Sequence, residues 1–151
     1  MKPYAENRKA RHEYEILETF EGGLVLSGAE VKAIREGGAK LDGAYVRFLG
    51  GRLVLIGAHI RPYSKMSGRD TYDPDRTRSI LVNKREMRQL AGKLDQKGLT
   101  LVPISFYSSA RRIKLSFALC RGKKAPNKRE ALKERDIMRQ TQRFLRGRDV
   151  E

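Results

Sequence analysis

From Arg112 to Leu119 the chain alternates without a break. Ile113, Leu115, Phe117 and Leu119 are apolar, and Arg112, Lys114, Ser116 and Ala118 between them are basic or small. A side-chain period of two belongs to a β-strand with one face in a core and the other toward water. Such a strand cannot stand alone. Its backbone N–H and C=O groups need neighbours, and its apolar face needs a second layer. The rest of the chain must therefore supply a sheet.

It does so in short pieces. Tyr14 and Ile16 alternate with Glu13 and Glu15 in a strand pattern that starts at His12, and Leu17, Phe20, Leu24, Val25 and Leu26 continue it. Gly22-Gly23 inside this run predicts a sharp bend or a bulge. Tyr45 to Leu49 and Arg52 to Ile56 flank Gly50-Gly51, which supply the positive φ of a primed two-residue turn, so a hairpin is expected. Gly57 to Tyr63 extends its second strand as far as Pro62. Residues 64–78 are polar and turn-like and read as a mobile loop. Ile80 to Val82 is a short strand. Leu99 to Tyr107 changes phase at Pro103, where a bulge accommodates the missing N–H.

Two helices interrupt the strands. Ser27-Gly28-Ala29-Glu30 has capping-box spacing, with Val31 and Ile34 as apolar contacts and Gly37-Gly38 as the stop. Asn83-Lys84-Arg85-Glu86 repeats the arrangement. Met87, Leu90, Ala91 and Leu94 then share one helical face, and Gly98 ends it. About six antiparallel strands with two short helices suit a mainly β chain closed into a small barrel, not a parallel sheet. Side chains fill a barrel of this size, so its binding surfaces lie outside.

Gly122 opens a different kind of segment. After Pro126 it runs from Asn127 to Arg146 without Gly or Pro. At helical spacing, Ala131, Glu134, Ile137, Met138, Thr141, Phe144 and Leu145 share one side. Lys128, Arg135, Arg139, Arg143 and Arg146 share the other. The apolar side is thin and the basic side nearly continuous, which suits lying along a polyanion. The expected organisation is a domain over 1–121, with residues 1–11 as a basic arm, and a basic tail over 122–151. Isolated helices are marginal in water, so the tail is expected to be largely without structure when free and to become helical on its partner.

Charge narrows the function. The formal net charge is +15; ten Lys/Arg against five Asp/Glu fall in the tail, which leaves +10 on the body. Positive charge spread over the whole molecule is the footprint of a nucleic-acid binder. Cys120 is the sole cysteine, which excludes a disulfide framework and a zinc site built on paired cysteines. The start of the chain has no apolar signal segment, and no run approaches a membrane span, so a cytoplasmic protein is expected.

No catalytic site assembles from the pattern, and neither a metal site nor a cofactor is expected. His12 and His59 are the only histidines and lie far apart. Asp70, Asp73 and Asp75 lack the ligand spacing and terminal Glu of a calcium loop, and turn formation with charge balance by Arg69, Arg76 and Arg78 explains them. Binding features are richer. Arg8, Lys9, Arg11 and His12 precede Tyr14, mixing groups for phosphate with an aromatic ring for an unpaired base. Tyr14 suits a core position equally, and His12 suits a surface position equally. Glu21 is suited to accept from a base amino group or a ribose hydroxyl, or to sit solvated in an ion pair.

Several motifs coincide in order: Asn7-Arg8-Lys9-Ala10-Arg11-His12-Glu13-Tyr14, Phe20-Glu21-Gly22-Gly23-Leu24, Gly28-Ala29-Glu30-Val31-Lys32, Lys97-Gly98-Leu99-Thr100-Leu101-Val102-Pro103 and Arg121-Gly122-Lys123-Lys124. Together they resemble the bacterial small protein B family (SmpB), the tmRNA-binding proteins of trans-translation, over about residues 6–146. The resemblance implies a barrel of oligonucleotide-binding type that is not an enzyme. Such a protein binds the tRNA-like domain of tmRNA and promotes its alanylation by alanyl-tRNA synthetase. With elongation factor Tu it carries the RNA to ribosomes stalled on broken messages. Its tail enters the decoding centre of the small subunit and the empty message channel.

Carried over residue by residue, the resemblance ties Glu21, Leu81 and Asn83 to tmRNA binding, and Arg8, Lys9 and Tyr14 join them on chemistry. It ties His12, Gly122, Lys123, Asn127, Lys128, Arg129, Phe144 and Leu145 to the ribosome, with Lys124, Arg135, Arg139 and Arg143 added from the basic stripe. Asn127 stands where the family commonly has Asp, and Phe144-Leu145 keeps only the apolar character of its counterpart. A general barrel protein of the translation apparatus, gripping ribosomal or other structured RNA, is the competing expectation.

Overall fold

The computed structural model describes residues 3–95, 98–122, 139–141 and 143. In chain order its elements are β1 (Ala5–Glu6), α1 (Arg8–Glu13), β2 (Tyr14–Leu24), α2 (Gly28–Arg35), β3 (Ala39–Lys40), β4 (Tyr45–Leu49), β5 (Arg52–Ile56), β6 (His59–Ile60), β7 (Arg78–Leu81), α3 (Lys84–Leu94), β8 (Leu99–Ser109) and β9 (Arg112–Gly122).

The alternating run is β9, and it pairs antiparallel on both edges, with β2 and with β8. Strands β8, β4, β5, β7, β2 and β9 lie side by side in that order, and β9 meets β8 again, so the hydrogen-bond ladder runs round a ring. A register shift between Pro103 and Ser105 marks the expected bulge. Beyond it the free edge of β8 passes from β4, at Leu101, to β1, at Ser105 and Phe106. Inside the ring pack Leu53, Leu55, Ile80, Leu101, Phe106, Leu115 and Phe117, with Ile34 of α2 and Leu90 of α3 added to the same cluster.

Three expectations need correction. The arm is in part a helix: Asn7 caps α1 by accepting from the Ala10 amide at 3.3 Å and donating to the Pro103 carbonyl at 3.0 Å. Polar composition hid this, because one small apolar residue, Ala10, does the burying. It packs with Val102, Ile104, Ala118 and Cys120 on the outer face of β8 and β9, and Tyr14 leans on the same cluster. The strand pattern accordingly starts at Tyr14, not His12.

Gly22-Gly23 makes no bend. Strand β2 runs straight through, and its register shift lies between Ile16 and Glu18. Gly22 is glycine because there is no room: a Cβ there would lie 2.6 Å from Ile80 Cγ2. Finally, the hairpin's second strand stops at Gly57, whose φ of 82° breaks it. His59 and Ile60 pair instead with β3 in a separate two-stranded ladder.

The segment between β6 and β7 is tied down by charge. Arg78 is fully buried and Glu30 nearly so. The Arg78 guanidinium donates to Glu30 at 2.7 Å, to the Ala58 carbonyl at 2.9 Å and to the Pro74 carbonyl at 3.1 Å. Arg76 reaches the other Glu30 oxygen at 2.5 Å. Glu30 also completes the capping box of α2, in which its carboxylate accepts from the Ser27 amide and Ser27 Oγ accepts from the Glu30 amide. Burial alone would raise the Glu30 pKa, but the Ser27 amide and the two guanidiniums outweigh it and hold the carboxyl below its usual range. Asp73 accepts from the Asp75 amide, the turn role expected of it, whereas Asp75 pairs with His59 Nδ1 at 2.9 Å instead of with an arginine, because Arg76 and Arg78 are taken up by Glu30.

Of the tail, residues 139–141 and 143 are helical. Thr141 is buried, and Arg139 and Arg143 are exposed. The expectation for the rest of the tail lies outside the described residues.

Candidate nucleic-acid interface

The outer surface of β7, β2, β9 and β8 is one continuous face whose rows follow from the register. Leu81 lies opposite Gly23, Gly23 opposite Lys114, and Lys114 opposite Tyr107. The next row joins Glu21, Ser116, Ser105 and Glu6 across β2, β9, β8 and β1. Because side chains alternate along each strand, these rows point outward while Ile80, Leu115, Phe117 and Phe106 point into the core.

Glu21 borders a notch of about 510 Å³ lined by Pro3, Glu6, Thr19, Phe20, Ser105, Tyr107 and Ser116. Small serines form part of its lining and aromatic rings another part. The Tyr107 hydroxyl donates to the Glu21 carboxylate, and Lys114 Nζ lies 3.1 Å from Glu21 Oε1. The Tyr107 bond and then the Lys114 contact hold the Glu21 carboxyl below its usual range, while partial burial and the same bond raise the Tyr107 hydroxyl. At neutral pH Glu21 is therefore an acceptor only, with lone pairs left for a donor from outside. Neither Tyr107 nor Lys114 was singled out in the sequence. Only strand register puts them beside Glu21.

On the other side of Gly23 the face turns apolar. Leu81 is 59% exposed and Val25 48%. Gly23 has no side chain, and an added Cβ would meet Leu81 Cβ at 3.5 Å, so the strip beside Leu81 is low and flat. A large exposed leucine at such a spot is a ready platform for a planar ring. Asn83 follows two residues later. Its Oδ1 accepts from the Glu86 amide at 2.8 Å as the cap of α3, which leaves the side-chain NH₂ for another partner.

The remaining residues separate into a second region. Arg8, Lys9 and His12 are exposed on α1, and Arg8 lies 3.9 Å from Glu6. Arg8, Arg11 and His12 border a second cavity with Glu6, Asn7 and Ile104. Glu6 lines both cavities, so α1 and the Glu21 notch adjoin. Tyr14 is half-buried against the α1 cluster, which supports its core role. Gly122 ends β9 opposite Tyr14. Lys123, Lys124, Asn127, Lys128, Arg129, Arg135, Phe144 and Leu145 lie outside the described residues. Among the described residues no group of acidic, His and Cys side chains is placed to hold a metal ion, and no helix is long and apolar enough to cross a membrane.

A closed ring of strands with an acceptor notch, an apolar shelf and a basic helix on its outside defines a binding protein for a charged, ring-bearing polymer. The chain belongs to the SmpB family, whose model, SmpB protein, matches residues 4–147. It is 45% identical over 148 residues to the SsrA-binding protein of Thermosynechococcus vestitus, covering 98% of this chain and 97% of the relative. It is 47% identical over 146 residues to the SsrA-binding protein of Microcystis aeruginosa, covering 97% and 95%. A solved chain described as "tmRNA-SmpB: a journey to the center of the bacterial ribosome" is 46% identical, with a TM-score of 0.66 over 90% of this chain and 94% of that one.

Proposed function

We propose that this protein binds tmRNA and serves with it in trans-translation on stalled ribosomes, as an RNA-binding adaptor and not as an enzyme. The observation that carries the reading is the placement of Glu21 and Leu81 on one outer sheet face, two strand positions apart across Gly23, with Asn83 at its edge. Residues 60 positions apart in sequence share a face suited to unpaired bases: an acceptor for base or ribose donors and a flat apolar shelf for a ring. The ring of strands is a small closed barrel of oligonucleotide-binding type, filled by its own side chains.

The barrel takes the tRNA-like domain, with Glu21, Leu81 and Asn83 reading it and Arg8 and Lys9 on its phosphates, and so promotes alanylation by alanyl-tRNA synthetase. With elongation factor Tu the complex goes to the stalled ribosome in the cytoplasm. There His12 and Gly122 face the ribosome. Lys123, Lys124, Asn127, Lys128, Arg129, Arg135, Arg139, Arg143, Phe144 and Leu145 place the tail in the decoding centre and the empty message channel.

Two measurements test this. At fixed salt, because phosphate-driven affinity falls steeply with it, the isolated tRNA-like domain should outcompete a tRNA of ordinary length. Equal affinity for unrelated structured RNA would support a general RNA-gripping protein instead. Truncation before Ala125 should keep binding and abolish peptide tagging, and a truncated protein that still supports tagging refutes the tail assignment.

A further inference from the structure

Strands β8 and β9 are joined by Ala110-Arg111, an unusual pair for such a turn. Ser109 pairs with Arg112, so two residues close the hairpin. Their φ angles are 50° and 66°, and among the described residues they are the two non-glycine positions with positive φ. Positive φ at both central residues is the signature of a type I′ turn, whose twist suits the strands. Asn-Gly fills that turn with little strain, whereas a Cβ at positive φ crowds the backbone. Strain of this kind tends to persist where function wants a group held in one place.

The turn holds two such groups. The Arg111 carbonyl accepts from the Arg35 guanidinium at 3.0 Å, which ties the turn to the exposed side of α2. The side chains of Arg111 and Arg112 are exposed beside that tie. One helical turn before Arg35, Lys32 Nζ stands 5.4 Å from the centre of the Tyr63 ring. Among the described residues no carboxylate pairs with any of these four cations. Glu36, next to Arg35 in the chain, is taken by Ser64 at 2.8 Å and Arg61 at 4.0 Å. Like charges gathered without counter-charges favour an anion from outside.

Location decides which anion. Arg112 precedes Lys114 by two residues on β9, so it continues the outward row that puts Lys114 and Ser116 beside Glu21. The turn and α2 then carry this face over the end of the ring. We infer that Lys32, Arg35, Arg111 and Arg112 form a phosphate-binding rim, which holds the sugar–phosphate backbone of the RNA whose unpaired bases lie on the Glu21–Leu81 face. The identity of that RNA rests on the tmRNA reading above. Phosphate contacts set register and orientation while bases are read elsewhere, so the rim fixes how far along the sheet the strand lies.

The test uses the full chain and the isolated tRNA-like domain, with affinity measured over a series of salt concentrations. Ala110→Asn with Arg111→Gly removes one cation and relieves both positive φ angles, while the carbonyl that Arg35 meets stays. Affinity at physiological salt should fall about fivefold, and the slope of log affinity against log salt should flatten by about one. The urea midpoint should hold or rise, so the loss cannot come from misfolding. Adding Arg112→Gln should produce a second step of the same size. Unchanged affinity in both variants overturns the rim, and so does a fall in affinity at unchanged salt slope. Glu21→Ala, run alongside, separates the two claims. If it weakens binding while the rim variants are silent, the rim alone fails. If it is silent while the rim variants weaken binding, the rim stands and the base-reading face fails.

Discussion

Arg78→Met is the sharpest test of what holds the fold. The guanidinium is fully buried and meets Glu30, the Ala58 carbonyl and the Pro74 carbonyl. Methionine matches the aliphatic stem but supplies no donor. Glu30 would keep the Ser27 amide and Arg76, yet it loses the partner that shares its burial. The Pro74 carbonyl still accepts from the Ile60 amide at 2.9 Å, so little is lost there. The loss of one of the two guanidiniums on Glu30 dominates, and removing one member of a buried pair costs about 3–5 kcal/mol, here toward the lower end because Arg76 remains. Urea unfolding followed by circular dichroism should show that loss as a lower midpoint at unchanged slope. In a Glu30→Gln background the charge is already gone, so Arg78→Met should cost less there by about 1–3 kcal/mol. A cost below about 1 kcal/mol in the native background, or strict additivity of the two substitutions, refutes a tightly coupled buried pair.

Acid should reveal the same group. The Glu30 pKa is depressed on folding from an ordinary 4.5, so its contribution is complete above that value and is lost as pH falls through the lower folded one. Glu30→Gln should flatten that part of the stability–pH curve, measured by urea midpoints below pH 4.5. Gly22→Ala forces a methyl to 2.6 Å from Ile80 and should cost about 1–3 kcal/mol in the same assay. Tyr107→Phe removes the donor that fixes Glu21. Titration of Glu21 by NMR should move upward, affinity for the tRNA-like domain should fall by up to about tenfold because Glu21 is no longer held in place, and the urea midpoint should drop slightly from the lost intramolecular bond.

Local physics wrote much of this molecule into the chain. Period-two alternation at 112–119, Gly50-Gly51 between apolar runs and the capping spacing at Ser27 and Asn83 each act over a few residues. Each appears where the pattern put it, except that Asn83 accepts from the Glu86 amide without the reciprocal carboxylate bond that completes the box at Ser27. The family motifs named the partner because they preserve residue types in order. Helix α1 escaped because its burial rests on one alanine meeting β8 and β9, residues 92 to 110 positions away. Arg78 looked like one more loop cation until Glu30, 48 positions earlier, came beside it.

The glycines at 22 and 23 and the residues around Glu21 show the same division. Composition offers a bend, and only the closeness of Ile80 in the folded ring turns Gly22 into a packing requirement. Tyr107 and Lys114 become partners of Glu21 through register, which a chain fixes only when every apolar face finds the core at once. By itself the sequence determined the strands, the caps, the positive charge and the kin. Tertiary structure decided which distant side chains share a surface, because only the closed ring of strands brings residues far apart in the chain side by side.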